Sequence, residues 1–284
     1  MRVGSLHVHP LKAGRIADRA EVAVSMAGPS GDRRWMVVDG DGRFLTQRQM
    51  PELALLDVVP GVDGATIRMG YARHRAALSA ERRDVIVWRD EVSVASCRAM
   101  DDAVLSEWLG RTVHLVHFDA ASARRTNADW ADAPVAFADG YPVLIVLSAS
   151  LDALNDRIVS TGGDPLPMSR FRPNVVIEGA EAWADDGWAT INVGDVVLDL
   201  VKPCDRCKVT TVDQATGTVV GDEPLRTLRE LRMSADRRVP GLLFGWNAVP
   251  RGDGVLRLGD PVSVAERRSP WPIRGRVERG SMPF

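Results

Sequence analysis

A chain of 284 residues is about two domains at ~150 residues each. Its composition, 45% hydrophobic and 26% charged with 25 Gly and 17 Pro, excludes a disordered chain, a collagen and a coiled-coil rod. A net charge of −2 draws the protein onto neither nucleic acid nor anionic lipid, and no apolar run approaches the ~18 residues of a membrane span.

The N-terminus places His, Lys and Asp where a signal peptide would carry its apolar stretch. Three cysteines are too few for a disulfide scaffold, so a soluble protein of the reducing cytoplasm is expected. Residues Val3–His9 alternate as a strand, as do Arg34–Asp39, which run through a Gly40-Asp41-Gly42 turn into Phe44-Leu45-Thr46. Further short strands are expected at Val58-Val59, Thr66–Met69 and Asp84–Trp88, the spacing of a small antiparallel barrel or sandwich. A helix over Asp101–Leu109 stops at Gly110, and Val113–Phe118 returns to strand. Asp119–Asp132 reads as a surface connection, with a domain boundary near residue 120. Beyond it, a buried strand at Val143–Leu147 precedes a helix at Ser150–Ile158. Strands follow at Asn174–Ile177 and Ala189–Leu200, the latter turning at Val193-Gly194-Asp195. A loop then carries two cysteines. A helix over Glu223–Met233 has proline early, and strands at Gly241–Ala248 and Gly254–Arg257 close the domain. The tail, Ala265–Phe284, is expected to hold little fixed structure.

The densest cluster of reactive side chains is Cys204-Asp205-Arg206-Cys207, flanked by Lys202 and Lys208. Lys12 is the only other lysine among 36 basic residues. As half of a zinc site, the pair needs two more ligands. As a thioredoxin-type pair it should open a helix, whereas Lys208-Val-Thr-Thr-Val reads as a strand. A third reading is one reactive thiolate favoured by its cationic neighbours, and a fourth is two inert thiols. Elsewhere Lys12, Arg33, Asp139, Arg172 and Asn247 each sit beside turn residues, an arrangement that presents donors to an anion. Nucleotide loops, H-E-x-x-H and G-x-S-x-G are missing, and three cysteines cannot hold a common iron–sulfur cluster. Electrons for any redox chemistry therefore come from elsewhere.

Seven segments taken in order are more specific than any one of them: HPLKAG, GDRRWMVVDGDGRFLTQRQMPELALL, FADGYPVLIVLSASLDALN, RFRPNVVIEG, PCDRCKVTTVDQATG, EPLRTLRELR and LFGWNAV. Together, over residues 1–264, they resemble the MOSC family, in particular its amidoxime-reducing members and their bacterial counterparts. The resemblance implies an α+β, mainly β, fold: a small N-terminal MOSC β-barrel domain (1–120), a mixed β-barrel MOSC domain with a few helices (121–264), and the tail (265–284). It implies a molybdenum cofactor, a phosphate-bearing pyranopterin dithiolene whose metal takes one protein thiolate. On that resemblance Cys207 matches the metal ligand, and Lys12, Arg33 and Arg172 match anchoring positions. Asp205, Arg206, Gly140 and Asn247 match positions lining the cofactor, with Asn174 and Asp139 nearby. Ala13 stands where mitochondrial relatives carry serine, and Cys204 is expected to be structural or dispensable.

The implied activity is reduction of N-hydroxylated compounds such as amidoximes, hydroxylamines and N-hydroxylated bases. A flavoprotein or ferredoxin-type donor would supply the electrons. Cys207, Asp205 and Asp139 are the catalytic candidates. Aspartates beside cations hold protons poorly, which leaves proton delivery to water. A second reading is a sulfur carrier or cofactor-handling protein that uses Cys207 as persulfide or thiolate, and a third is a specialised biosynthetic member. Pyridoxal phosphate is not expected.

Overall fold

Two apolar runs of the sequence are strands buried on both faces, and each anchors one sheet of the computed structural model, which describes residues 1–274. In Trp35–Asp39, Trp35 and Val37 face a core with Leu53, Leu105 and Leu115. Met36 and Val38 face a second core with Val85, Val94 and Phe137. In Val143–Leu147, Val143, Ile145 and Leu147 enter the largest core, while Leu144 and Val146 pack with Leu154, Phe171 and Phe244. Successive side chains of a strand point to opposite faces, so a strand covered on both sides reads as an unbroken apolar run.

Around the first run lies a six-stranded sheet in the order Trp35–Asp39, Val113–His117, Asp90–Cys97, Ala72–Val87, Gly64–Met69, Asp57–Gly61. Around the second lies an eight-stranded sheet: Val262–Arg267, Trp188–Val193, Val196–Arg206, Leu242–Pro250, Val143–Leu147, Val175–Glu178, Arg2–Val8, Ala17–Arg19. With three α-helices among the described residues, at Ala99–Leu109, Ser148–Ser160 and Leu225–Leu231, the fold is mainly β, as the sequence implied. The first helix ends on Gly110 at φ 64°, the left-handed cap expected there. No helix among the described residues is long and apolar enough to cross a membrane.

A cut at residue 120 divides the chain but not the sheets. Arg2–Val8 pairs with Val175–Glu178, and Glu21–Ser25 pairs with Gly254–Arg257. Val3, Leu6, Val8, Val22 and Val24 all lie in the core around Val143–Leu147. The two halves are therefore tied together by the N-terminal strands.

Three local expectations are corrected. Cys204 does not sit in a loop: it lies within the strand Val196–Arg206, and Cys207 follows at its end. Lys208–Thr211 is a single 3-10 turn, not a strand; the Thr210 and Thr211 hydroxyls donate to the carbonyls of Cys207 and Lys208 at 2.9 and 2.8 Å, which satisfies β-branched residues in a turn. The start of the tail is folded. Val262–Arg267 is a strand, Trp271 is buried, and its indole Nε1 donates to Ser234 Oγ at 3.1 Å. The expectation for 275–284 lies outside the described residues. Because Trp271 packs in the main core against Trp246 and Trp130, Trp271→Ala should lower unfolding free energy by about 3 kcal/mol in a denaturant titration. A change under about 0.5 kcal/mol would show that the segment adds nothing to the core.

Candidate functional site

Where the two sheets meet is a cavity of about 310 Å³, and every site residue named from the sequence lines it. Lys12, Ala13, Arg33, Asp139 and Gly140 come from loops around the first sheet, and Arg172, Asn174, Asp205, Arg206, Cys207 and Asn247 from the second. Six cations (Lys12, Arg33, Arg48, Arg172, Lys202 and Arg206) face two carboxylates, Asp139 and Asp205. Order along the chain becomes proximity because the loop after Arg2–Val8 is pinned to Trp35–Asp39. The Lys12 backbone N–H donates to Trp35 O at 2.8 Å, and that of Arg33 to His9 O at 2.6 Å.

The walls hold the strain of the fold. Among the described residues, five non-glycine residues have a left-handed φ, and four line the cavity: Ala13 (65°), Arg33 (47°), Trp88 (60°) and Arg172 (54°). Each costs about 1–3 kcal/mol and persists because its surroundings overdetermine it. The strand bearing Cys204 is irregular on both sides of Pro203, with register shifts between Leu200 and Lys202 and between Pro203 and Asp205. Such bulges re-aim side chains at sites, and proline within a strand belongs at one. Opposite, Gly245 at φ 78° brings its α-carbon so close to Ile145 that an added Cβ would lie 2.6 Å from the Ile145 carbonyl oxygen. Only glycine fits there, two residues before Asn247.

Asn174 is buried, and its amide is fully committed. Its Oδ1 accepts from Leu144 N at 3.0 Å and Arg33 Nη1 at 3.2 Å, and its Nδ2 donates to His7 O at 3.2 Å and Asp32 Oδ1 at 3.0 Å. It builds the wall instead of reaching into the cavity. Lys12 Nζ donates to Phe137 O at 2.8 Å and pairs closely with Asp139. Arg172 Nη1 donates to Gly14 O at 2.7 Å and Gln214 Oε1 at 3.0 Å, while its Nη2 is buried with no partner among the described residues. Arg206 turns to Cys204 Sγ (2.9 Å) and Phe171 O (2.7 Å), and Asn247 Nδ2 donates to Lys202 O at 3.3 Å. Asp205 is about half exposed and lies 3.5 Å from Lys202 Nζ.

The MOSC N-terminal beta barrel domain family matches residues 1–113, and the MOSC domain family matches residues 132–263. Over 283 residues the chain is 32% identical to mitochondrial amidoxime-reducing component 1 of Danio rerio, spanning 92% of this chain and 83% of that protein. The human protein of the same name is 30% identical over 279 residues, spanning 92% and 82%. The chain belongs to the MOSC family. The mouse component 1 is 31% identical over 281 residues, spanning 92% and 81%.

For a MOSC protein, the electrostatics of the cavity suit an anionic occupant. Burial, with Arg33 beside it, pushes the Arg172 guanidinium down to about 9, the mark of a cation short of counter-charge. Burial also lowers Lys12, against the pull of Asp139. Lys12, with Arg33 and Arg48, holds the largely exposed Asp139 carboxyl below the usual carboxylate range. Burial raises the Cys204 thiol, against Arg206. Thus a phosphate-bearing, soft-sulfur cofactor fits these residues: unpaired buried guanidinium nitrogen for phosphate, and a thiol for metal.

Arg48 and Trp88 are among the lining residues that the sequence did not single out. Arg48 Nη2 donates to Cys207 Sγ at 3.2 Å, and it disappeared among the many other arginines. Trp88 was read as the last residue of a strand, whereas the strand ends at Val87 and Trp88 forms the turn before Asp90–Cys97.

His9 braces this wall. Its Nε2 donates to Pro173 O at 3.0 Å, its Nδ1 is buried without a partner among the described residues, and burial plus Arg33 and Arg172 hold it neutral, well below the ordinary 6.5. The unfolded chain takes up this proton below pH 6.5 and the folded chain does not, so acidification favours unfolding. Stability should fall by roughly 1.4 kcal/mol per pH unit from this group between its ordinary and its folded pKa. Denaturant titrations across that range should give a shallower slope for His9→Gln; equal slopes would show that His9 is not responsible.

Proposed function

We propose that this protein is a molybdenum-cofactor-dependent reductase of N-hydroxylated compounds, working in the cytoplasm with electrons from a separate flavoprotein or ferredoxin-type donor. The observation that carries the reading is one cavity holding Cys207, six cations and the unpartnered Arg172 nitrogen. The names of the relatives support an amidoxime-reducing chemistry. The three free thiols suit a reducing compartment.

In this reading Cys207 is the metal ligand, and the Arg48 guanidinium holds its sulfur in place by a hydrogen bond at 3.2 Å. Lys12, Arg33 and Arg172 hold the phosphate, and Gln214, paired with Gln47 across the two halves at 2.8 Å, keeps Arg172 in place. Ala13, Gly140, Arg206 and Asn247 shape the surrounding wall, with Asn174 bracing it. The bound cofactor supplies the two-electron chemistry of N–O cleavage. Asp139 stays ionised and accepts hydrogen bonds from Lys12 and Trp88, so it orients these groups and does not supply a proton at neutral pH. Asp205 lies at the open side with Lys202, and protons enter from water.

Elemental mass spectrometry on protein from a host that makes the cofactor tests this reading. Near-stoichiometric molybdenum is expected in the wild type and none in Cys207→Ala. Arg172→Met should bind the cofactor roughly ten- to a hundredfold more weakly, the loss of hydrogen bonds to a charged group. Molybdenum absent from both wild type and Cys207→Ala, with persulfide on Cys207, would establish the sulfur-carrier reading instead.

A further inference from the structure

By conformational preference Trp88 is out of place. It joins the strands Ala72–Val87 and Asp90–Cys97 at φ 60°, in a turn that favours glycine and asparagine and penalises a bulky side chain. The ring gains no full burial in return: Trp88 is 43% exposed and lines the cavity. Three contacts fix its orientation. The Phe44 ring lies 5.1 Å away, the Arg48 guanidinium sits 5.1 Å from the ring centroid, and the indole Nε1 donates to Asp139 Oδ1 at 3.3 Å. Arg48 also reaches Cys207, so a single guanidinium separates the indole from the thiol sulfur. A strained backbone thus holds a partly exposed, oriented indole in the wall of a cationic cavity, with Arg48 over one of its faces.

We propose that Trp88 is a stacking platform that selects planar, conjugated N-hydroxylated substrates, such as aryl amidoximes and N-hydroxylated heteroaromatic bases, over aliphatic ones. The proposal rests on the reductase reading for the N-hydroxyl group but not for the stacking. A conjugated ring on the indole exchanges water for a π-face, on the side that the Arg48 guanidinium, lying over the ring 5.1 Å from its centroid, does not cover. An aliphatic amidoxime offers the same N–O group with nothing to stack.

Titration calorimetry on the holoprotein, without reductant so that ligand is not consumed, compares benzamidoxime with acetamidoxime. The wild type should bind the aryl ligand more tightly. Trp88→Ala and Trp88→Gly should cut the aryl-over-alkyl affinity ratio about five- to tenfold, and Trp88→Phe should retain most of it. Glycine adopts φ 60° freely, so Trp88→Gly tests the ring without backbone strain. Equal wild-type affinities, no measurable aryl binding, or an unchanged ratio in Trp88→Gly would overturn the platform. A ratio that collapses in a protein with no reductase turnover would sink the reductase reading and leave the platform standing; turnover with an unchanged ratio would do the reverse.

Discussion

Like charges held close together and partly out of water repel one another, and the architecture around the cavity is arranged to hold them there. Arg33 and Arg172 are within hydrogen-bonding reach, with Arg33 Nη2 donating to Arg172 O at 3.2 Å, and Lys12 lines the same wall. The buried carboxylate of Asp32 pairs closely with Arg33, but it is also spent on His9 N and Asn174. The remaining positive potential is held by backbone geometry: left-handed residues, carbonyls turned toward guanidinium groups, and an asparagine saturated on four sides. Such a site stores free energy that an anion releases on entering, which is how preorganised donors gain affinity.

Legibility in the sequence followed the range of the interaction. Trp35–Asp39, Val143–Leu147 and the Gly110 cap were readable because periodicity and turn chemistry act within a few residues. The interleaved N-terminal strands were not, since the pairing of Arg2 with Glu178 is set by a partner far along the chain. The long strand Ala72–Val87 was recognised only at its end, because its half-exposed, charged middle lacks clean alternation. Lys208–Thr211 misled because β-branched residues favour strands, and two threonine hydroxyls reversed that preference locally.

The candidate site was more legible than the fold that assembles it. Lysine and arginine beside turn residues mark anion-facing loops even when their neighbours in space are unknown, and all of those named line one cavity. Arg48 escaped because guanidinium groups are common in this chain, and contact with Cys207 is a matter of tertiary distance alone. The position of Asn174 could be read from the sequence, but its role could not. Only the four partners of its amide distinguish a residue that builds the wall from one that touches a ligand.

The seating of the first strand also bears on when the cavity comes into being. Val3 N donates to Asp260 O at 2.9 Å, and Arg2–Val8 aligns on Val175–Glu178. During synthesis from the N-terminus, Arg2–Val8 must wait for Val175–Glu178 and then for Asp260 before these partners exist. Contacts so distant in sequence form late, after local hairpins and helices have closed. The pocket is therefore among the last features of the molecule to be completed, and an occupant finds its full set of donors only in an essentially finished protein. Until then, Val175–Glu178 has one edge unpaired and open to other chains, so correct threading of the N-terminus also guards against aggregation.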